Sequence, residues 1–508
     1  DLDSSNVNAL ELKYPDVTDV TELEIPNALT NPAQIVLDLS AGEKTSTSTL
    51  NQAGVYFNSD DTKTELFTIA DRYLTQEKIL VPDPQTLSLE LYHAFMQAFI
   101  DESKVVVSSL PRAAYFAQWA QSRTASLFQP SDLAAFEDME GSVFNSFLKA
   151  HAKAKNSPGF GMKIEKGQTI AAGSQSYNAR MTVLCRELQT VLPQVLYDDV
   201  FMDVGFSDSE FEAHCIEEGA FCTANTQVDL SSQDSTHFEH HVLMFVMLLM
   251  TFTSCTPEEA ALYVAMRSRY TVRAKNFSRG QSIRYTVSWV LPSGDPFTLI
   301  ANCIHEACST AFVFRLPPFS KSFTVYNCGK CGGEHRGRAY CFKGDDQYTR
   351  ILLEFNLAEQ MRARMIGVQF KIDIGLPPFF AGRFILPDNS VHHDPIKHAA
   401  KYSVKRNDPT KVAEYVQAYR ELLPSVSDYH AHLINLYAKA HHPSMAIHSI
   451  EVLSRFARSL GTYIGFLRFQ NFSDLSAQLV DPKENCAVAV FGSLGLPRPP
   501  RDPTPELF

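Results

Sequence analysis

The chain has 508 residues, 45% hydrophobic and 20% charged. That is a globular balance at a length that allows about two to four domains or one large multilobed enzyme. A formal net charge of −12 argues against a passive nucleic-acid coat, but not against an enzyme whose basic surface is confined to a channel. Ten scattered cysteines do not make a disulfide scaffold and fit a reducing compartment. The longest apolar run, residues 242–252, is far short of a membrane span, and no signal peptide opens the chain.

In chain order, residues 1–120 mix Thr, Ser and Asp with short apolar runs and carry no motif. Residues 87–100 have amphipathic helical spacing, and 132–155 and 176–192 read as further helices, with a breaker-rich loop at 156–161. From 222 to 386 short β-rich runs alternate with turns, at 226–230, 282–290, 338–343, 351–355, 368–374 and 379–386. Helices are expected between them at 236–252, 257–267, 297–310 and 357–365. This is an α+β mixture without strict β-α-β alternation. Beyond residue 394 helical periodicity dominates, at 410–422, 427–440 and 445–467, before a proline-rich tail at 497–505.

Three segments carry chemistry. Lys343-Gly344-Asp345-Asp346 lies between two β-like runs and reads as a hairpin tip. Adjacent carboxylates repel, and a divalent cation relieves the repulsion; a solvated turn has the same composition. Ser293-Gly294-Asp295 runs into a helix on which Thr298 and Asn302 share a face. Such groups hydrogen-bond sugar hydroxyls, or simply cap a helix. Upstream, Asp229 and Asp234 bracket the end of a run in which Val228 and Leu230 face one way and Asp229 the other. Asp203 and Asp208 repeat the spacing, but with Asp198 and Asp199 they read as a solvated acidic connection, and no long helix follows them as one follows Asp234. Asp229 is therefore the preferred upstream ligand.

Asp-x4-Asp, then Ser-Gly-Asp-x2-Thr-x3-Asn, then Gly-Asp-Asp, in this order, resembles motifs A, B and C of the RNA-dependent RNA polymerases of positive-strand RNA viruses. The details are most similar to the alphavirus-like superfamily and its hepatitis E virus-like branch. Residues 163–172 with Arg186 resemble motif F, Phe370-Lys371-Ile372-Asp373 and residues 378–384 resemble motifs D and E, and Asp394-Pro395-Ile396-Lys397 resembles the start of the thumb. The resemblance spans about residues 160–470. His237 stands where the family usually has Gln, and Cys303 where it usually has Thr.

The resemblance implies a right-hand polymerase: an N-terminal extension to residue 120, fingers at 121–195 and 257–285, a palm with an antiparallel sheet at 196–256 and 286–386, and a helical thumb at 387–495. It implies template-directed nucleotidyl transfer from NTPs to an RNA 3′ end for genome replication and transcription. Asp229, Asp345 and Asp346 would hold two Mg²⁺ or Mn²⁺ ions. Asp234 and Asn302, with Ser293, Gly294 and Thr298 nearby, would read the ribose 2′-hydroxyl. Lys163, Lys166 and Arg186 would hold the triphosphate, and Lys371 would protonate the leaving pyrophosphate. The implied partners are template and nascent RNA, NTPs and other replicase subunits, in membrane-associated replication complexes of the host cytoplasm.

Two other classes share some features: a catalytically silent polymerase-like scaffold, and a zinc-knuckle RNA-binding protein built on Cys328, Cys331, His335 and Cys341. The intact carboxylates oppose the first. The acidic charge opposes the second, as does the position of Cys341 on the strand leading to Gly344, where a small apolar group packs inward.

Overall fold

The computed structural model describes residues 11–12, 20–24, 35–36, 45–48, 54–57, 81–106, 109–121, 143–148, 153–155, 169–231, 233–276, 281–317, 326–327, 334–335, 337–394 and 427–441. Its centre is a five-stranded sheet of β1 (Val200–Met202), β2 (Thr226–Leu230), β3 (Tyr340–Lys343), β4 (Asp346–Thr349) and β5 (Phe370–Ile374). The order across it is β5-β2-β4-β3-β1, antiparallel except for the β3–β1 edge.

Period-two alternation gives this sheet two different faces. Val200, Met202, Val228, Leu230, Tyr340, Phe342 and Phe370 point into the main hydrophobic core. That core is closed by α1 (Pro84–Phe99), α5 (Glu239–Phe252) and α7 (Thr298–Val313). The helix α5, apolar nearly all round, is buried there as its composition requires. On the other face Phe201, Cys341 and Tyr348 form a smaller cluster with Phe211 and Cys215 of α4 (Asp208–Glu218) and Phe380. That cluster covers only one end of the face. At the other end the strands carry Asp203, Lys343, Asp346, Asp229 and Lys371.

Local signals fix the helix ends. Ser207 and Glu210 form a capping box on α4, as do Thr256 and Glu259 on α6 (Pro257–Ser268), where Pro257 takes the first helical position. Asn356 and Glu359 do the same for α8 (Leu357–Ile366). The remaining α-helices among the described residues are α2 (Arg112–Gln121), α3 (Gln175–Val195) and α9 (Asp428–His441).

A second sheet has strands Val20–Glu24, Gln281–Val287, Tyr270–Asn276, Val143–Leu148 and Thr169–Ala172, in that order. It ties the motif-free N-terminal region to the middle of the chain. Among the described residues no helix is long and apolar enough to cross a membrane.

Three expected elements differ. Residues 132–155, read as a helix, include two strands, Val143–Leu148 and Lys153–Lys155. Val143–Leu148 lies between Tyr270–Asn276 and Thr169–Ala172, and tertiary pairing overrides local pattern. The strand expected at 351–355 is instead Asp346–Thr349, because the chain turns at once after Gly344 and Asp345 and leaves the sheet at Arg350. The single strand expected at 379–386 is a hairpin, Phe379–Phe380 with Arg383–Ile385, turned at Ala381-Gly382 and extended by Val391–His393. The expected helices at 410–422 and 445–467 lie outside the described residues, as does the proline-rich tail.

Candidate active site

Register alone places the acidic residues together. Asp346 on β4 is the direct partner of Asp229 on β2, and Asp229 is in turn the partner of Lys371 on β5. Lys343 pairs with Asp346 from the other side. Direct partners in an antiparallel ladder project on the same face with Cα atoms about 4.5–5.5 Å apart. One row therefore crosses the sheet: Lys343, Asp346, Asp229, Lys371. Each end is closed by an ion pair, Lys343 Nζ to Asp203 Oδ2 at 2.8 Å and Lys371 Nζ to Asp229 Oδ2 at 2.7 Å.

Asp345 extends this row at the hairpin tip. The turn has only two residues, and Gly344 takes the left-handed conformation at φ +63° that glycine adopts without strain. The Gly344 N–H donates to Cys303 Sγ of α7 at 3.1 Å. Cys303 thus supports the turn. Its thiol is pushed up to about 12, first by burial. The Asp345 carboxyl is raised above its ordinary value, first by desolvation and then by Asp229 and Asp234. Glu306, fully buried on α7, is also raised, by burial and then by Asp345, Asp229 and Asp346. These carboxylates crowd one another with Lys371 as a nearby counter-charge. A divalent cation suits such a donor set. Among the described residues no three His, Cys, Asp or Glu side chains converge on one point as they stand. The backbone register brings Asp229 and Asp346 side by side.

A second cluster adjoins the first. Asn302 Nδ2 donates to Asp234 Oδ1 at 2.9 Å, His237 Nε2 lies 2.9 Å from Asn302 Oδ1, and Gln233 Nε2 donates to the Asn302 carbonyl at 2.9 Å. The loop before α7 is held from both sides. Gly294 N–H donates to Ala171 O, and Ala171 N–H donates to Ser293 Oγ. A Cβ on residue 294 would lie 2.6 Å from that carbonyl oxygen, so only glycine fits. Tyr177 Oη donates to the buried Asp295 carboxylate at 2.5 Å, and Asp295 Oδ1 accepts from Phe297 N–H. Asp295 therefore anchors the loop. The Thr298 hydroxyl also turns back onto the loop, within reach of the Asp295 and Pro292 carbonyls.

The other expected site residues are scattered. Lys163, Lys166, Cys328 and Cys331 lie outside the described residues. Arg186 is on the exposed side of α3, with no side-chain ion pair to the carboxylates among the described residues. His335 is on the short strand Glu334–His335. Cys341 packs among Phe201, Phe211, Cys215 and Tyr348, and burial raises its thiol well above the ordinary range.

One expectation is corrected. Within the acidic group at 198–208, Asp199 and Asp203 are buried rather than solvated, while Asp198 is exposed. Asp203 is 1% exposed and accepts from Lys343 and from Arg383 Nη2 at 2.6 Å. Arg383 also pairs with Asp208 at 2.9 Å and lies 4.2 Å over the Phe211 ring, while Asp208 accepts from His393. Asp199 is buried against Arg338. The partners that compensate Asp199, Asp203 and Asp208 sit more than a hundred residues away in sequence, where local reading cannot find them.

A central, mainly antiparallel sheet thus carries paired acidic strand ends, an acidic hairpin tip and an adjoining Asp–Asn pair. A family model described as RNA dependent RNA polymerase matches residues 21–460. The chain belongs to that family and is an RNA-directed RNA polymerase of the kind encoded by positive-strand RNA viruses. No curated protein sequence matches it.

Proposed function

We infer that this polymerase extends RNA by two-metal nucleotidyl transfer on Asp229, Asp345 and Asp346, for genome replication and transcription in a virus of the hepatitis E virus-like branch. The observation that carries this reading is the register that makes Asp229 and Asp346 direct partners beside the Asp345 tip. Bound Mg²⁺ or Mn²⁺ supplies the charge that activates the primer 3′-hydroxyl and neutralises the triphosphate. The central sheet with α5 and α7 is the palm, the second sheet belongs to the fingers, and α9 lies in the thumb. Lys163, Lys166 and Arg186 hold the triphosphate. Template-dependent extension of a primed RNA by the purified chain is the test.

In this reading Lys371, whose long, exposed side chain pairs with Asp229, also donates a proton to the leaving pyrophosphate. Lys371→Leu keeps the bulk and removes the donor, so single-turnover extension at saturating NTP should slow by about 10²–10⁴-fold with little change in NTP binding. A normal single-turnover rate in rapid-quench experiments would leave Lys371 as a counter-charge only.

Asp234 and Asn302 are the groups that separate ribose from deoxyribose. Replacing either by Ala should lower the preference for NTP over dNTP by about 1–3 kcal/mol, the cost of an unpaired buried polar partner, with template affinity unchanged. Equal preference in wild type and both variants would remove the sugar role.

A further inference from the structure

We propose that His237 is a positioning residue for nucleotide selection: its Nε2–H holds the Asn302 amide in the one orientation that presents the amide N–H to Asp234. The inference rests on the sugar-selecting role given above to Asp234 and Asn302.

An ionised carboxylate only accepts hydrogen bonds, and an amide offers an acceptor on one side and donors on the other. Asn302 meets Asp234 Oδ1 at 2.9 Å on one side and His237 Nε2 at 2.9 Å on the other. The amide nitrogen must therefore face Asp234, its oxygen must face His237, and His237 must carry a proton on Nε2. Turned by half a rotation, the amide would set its oxygen against the carboxylate. His237 is the group that makes the productive orientation the satisfied one on both sides.

The ring that carries this donor is itself fixed. His237 is 5% exposed and stacks on His305 at 4.3 Å with an interplanar angle of 19°. His305 meets the edge of His241 at 4.3 Å. Burial, and then the neighbouring His305, hold His237 well below its ordinary range, so the ring is neutral and has a single N–H to place. The Asn302 backbone is fixed independently, by Gln233. What His237 adds is the direction of the side-chain amide, and with it the arrangement that an incoming 2′-hydroxyl meets.

Packing and donation are separable by two substitutions in the full chain. His237→Phe keeps a ring to stack on His305 but has no donor. His237→Gln loses the ring but supplies an amide N–H at similar reach. The readout is kcat/KM for an NTP divided by that for the matching dNTP on a primed RNA template. With His237→Phe the ratio should fall on the order of tenfold. With His237→Gln it should stay within about twofold of wild type. The opposite pattern, Phe tolerated and Gln not, would reduce His237 to a packing residue and overturn the proposal. Should the Phe variant not fold, the Gln variant decides alone: retention of the ratio supports donation and its loss contradicts it. Asn302→Ala separates this inference from the reading beneath it. If Asn302→Ala lowers the ratio and His237→Phe does not, only the His237 role fails; if neither does, the sugar assignment fails first.

Discussion

Asp345→Ala should lower template-directed extension by at least about 10³-fold while leaving the thermal midpoint unchanged or slightly raised. Removing a single preorganised group that stabilises transition-state charge typically costs about 10²–10³-fold, and here the loss also removes a metal ligand. Stability goes the other way. Asp345 sits at an exposed two-residue tip, and desolvation, Asp229 and Asp234 all raise its carboxyl. A carboxylate whose pKa rises on folding is one whose ionised form the folded state disfavours, so removing it at neutral pH relieves repulsion. Surface changes of this kind usually stay within about 0.5 kcal/mol. Activity above a few per cent of wild type in the folded variant would end the assignment.

The second large effect comes from contrasting the two upstream aspartates. Asp229→Asn should eliminate extension in both Mg²⁺ and Mn²⁺ at little cost in stability, because its partner Lys371 is largely exposed and such pairs contribute about 0–1 kcal/mol. Asp203→Asn should do the reverse. It leaves Lys343 and the 2%-exposed Arg383 facing each other without their shared carboxylate. Breaking one partner out of a buried pair costs about 3–5 kcal/mol. Denaturation midpoints should therefore drop sharply, while molecules that remain folded at low temperature still extend RNA. Loss of chemistry without loss of stability in Asp203→Asn would move the metal site to β1.

The two substitutions also show what could be read from sequence. Alternation around Asp229 and the turn chemistry of Gly344 are local, so both strand ends and their sidedness were legible. Spacing linked them to Ser293 and Asn302. Asp203 carried the same local pattern as Asp229, and what separates them is Arg383, 180 residues away. The strand Val143–Leu148 is not legible locally for the same reason, since its partners begin at Thr169 and Tyr270. The role of His237 was hidden likewise: Asn302 lies 65 residues further on, and a lone buried histidine has no signature of its own. Cys303, which stands where the family usually has Thr, turns under Gly344, a contact set by the packing of α7 on the sheet.

The central claim is tested most directly by single-nucleotide extension of a primed RNA template with purified wild-type chain and Asp345→Ala, each assayed with Mg²⁺, with Mn²⁺ and with chelator. Template-directed extension by the wild type with either ion, none with chelator and none by Asp345→Ala is the predicted result. Extension that persists in chelator or in Asp345→Ala, or a folded, RNA-binding wild-type chain that extends nothing with either ion, would contradict it.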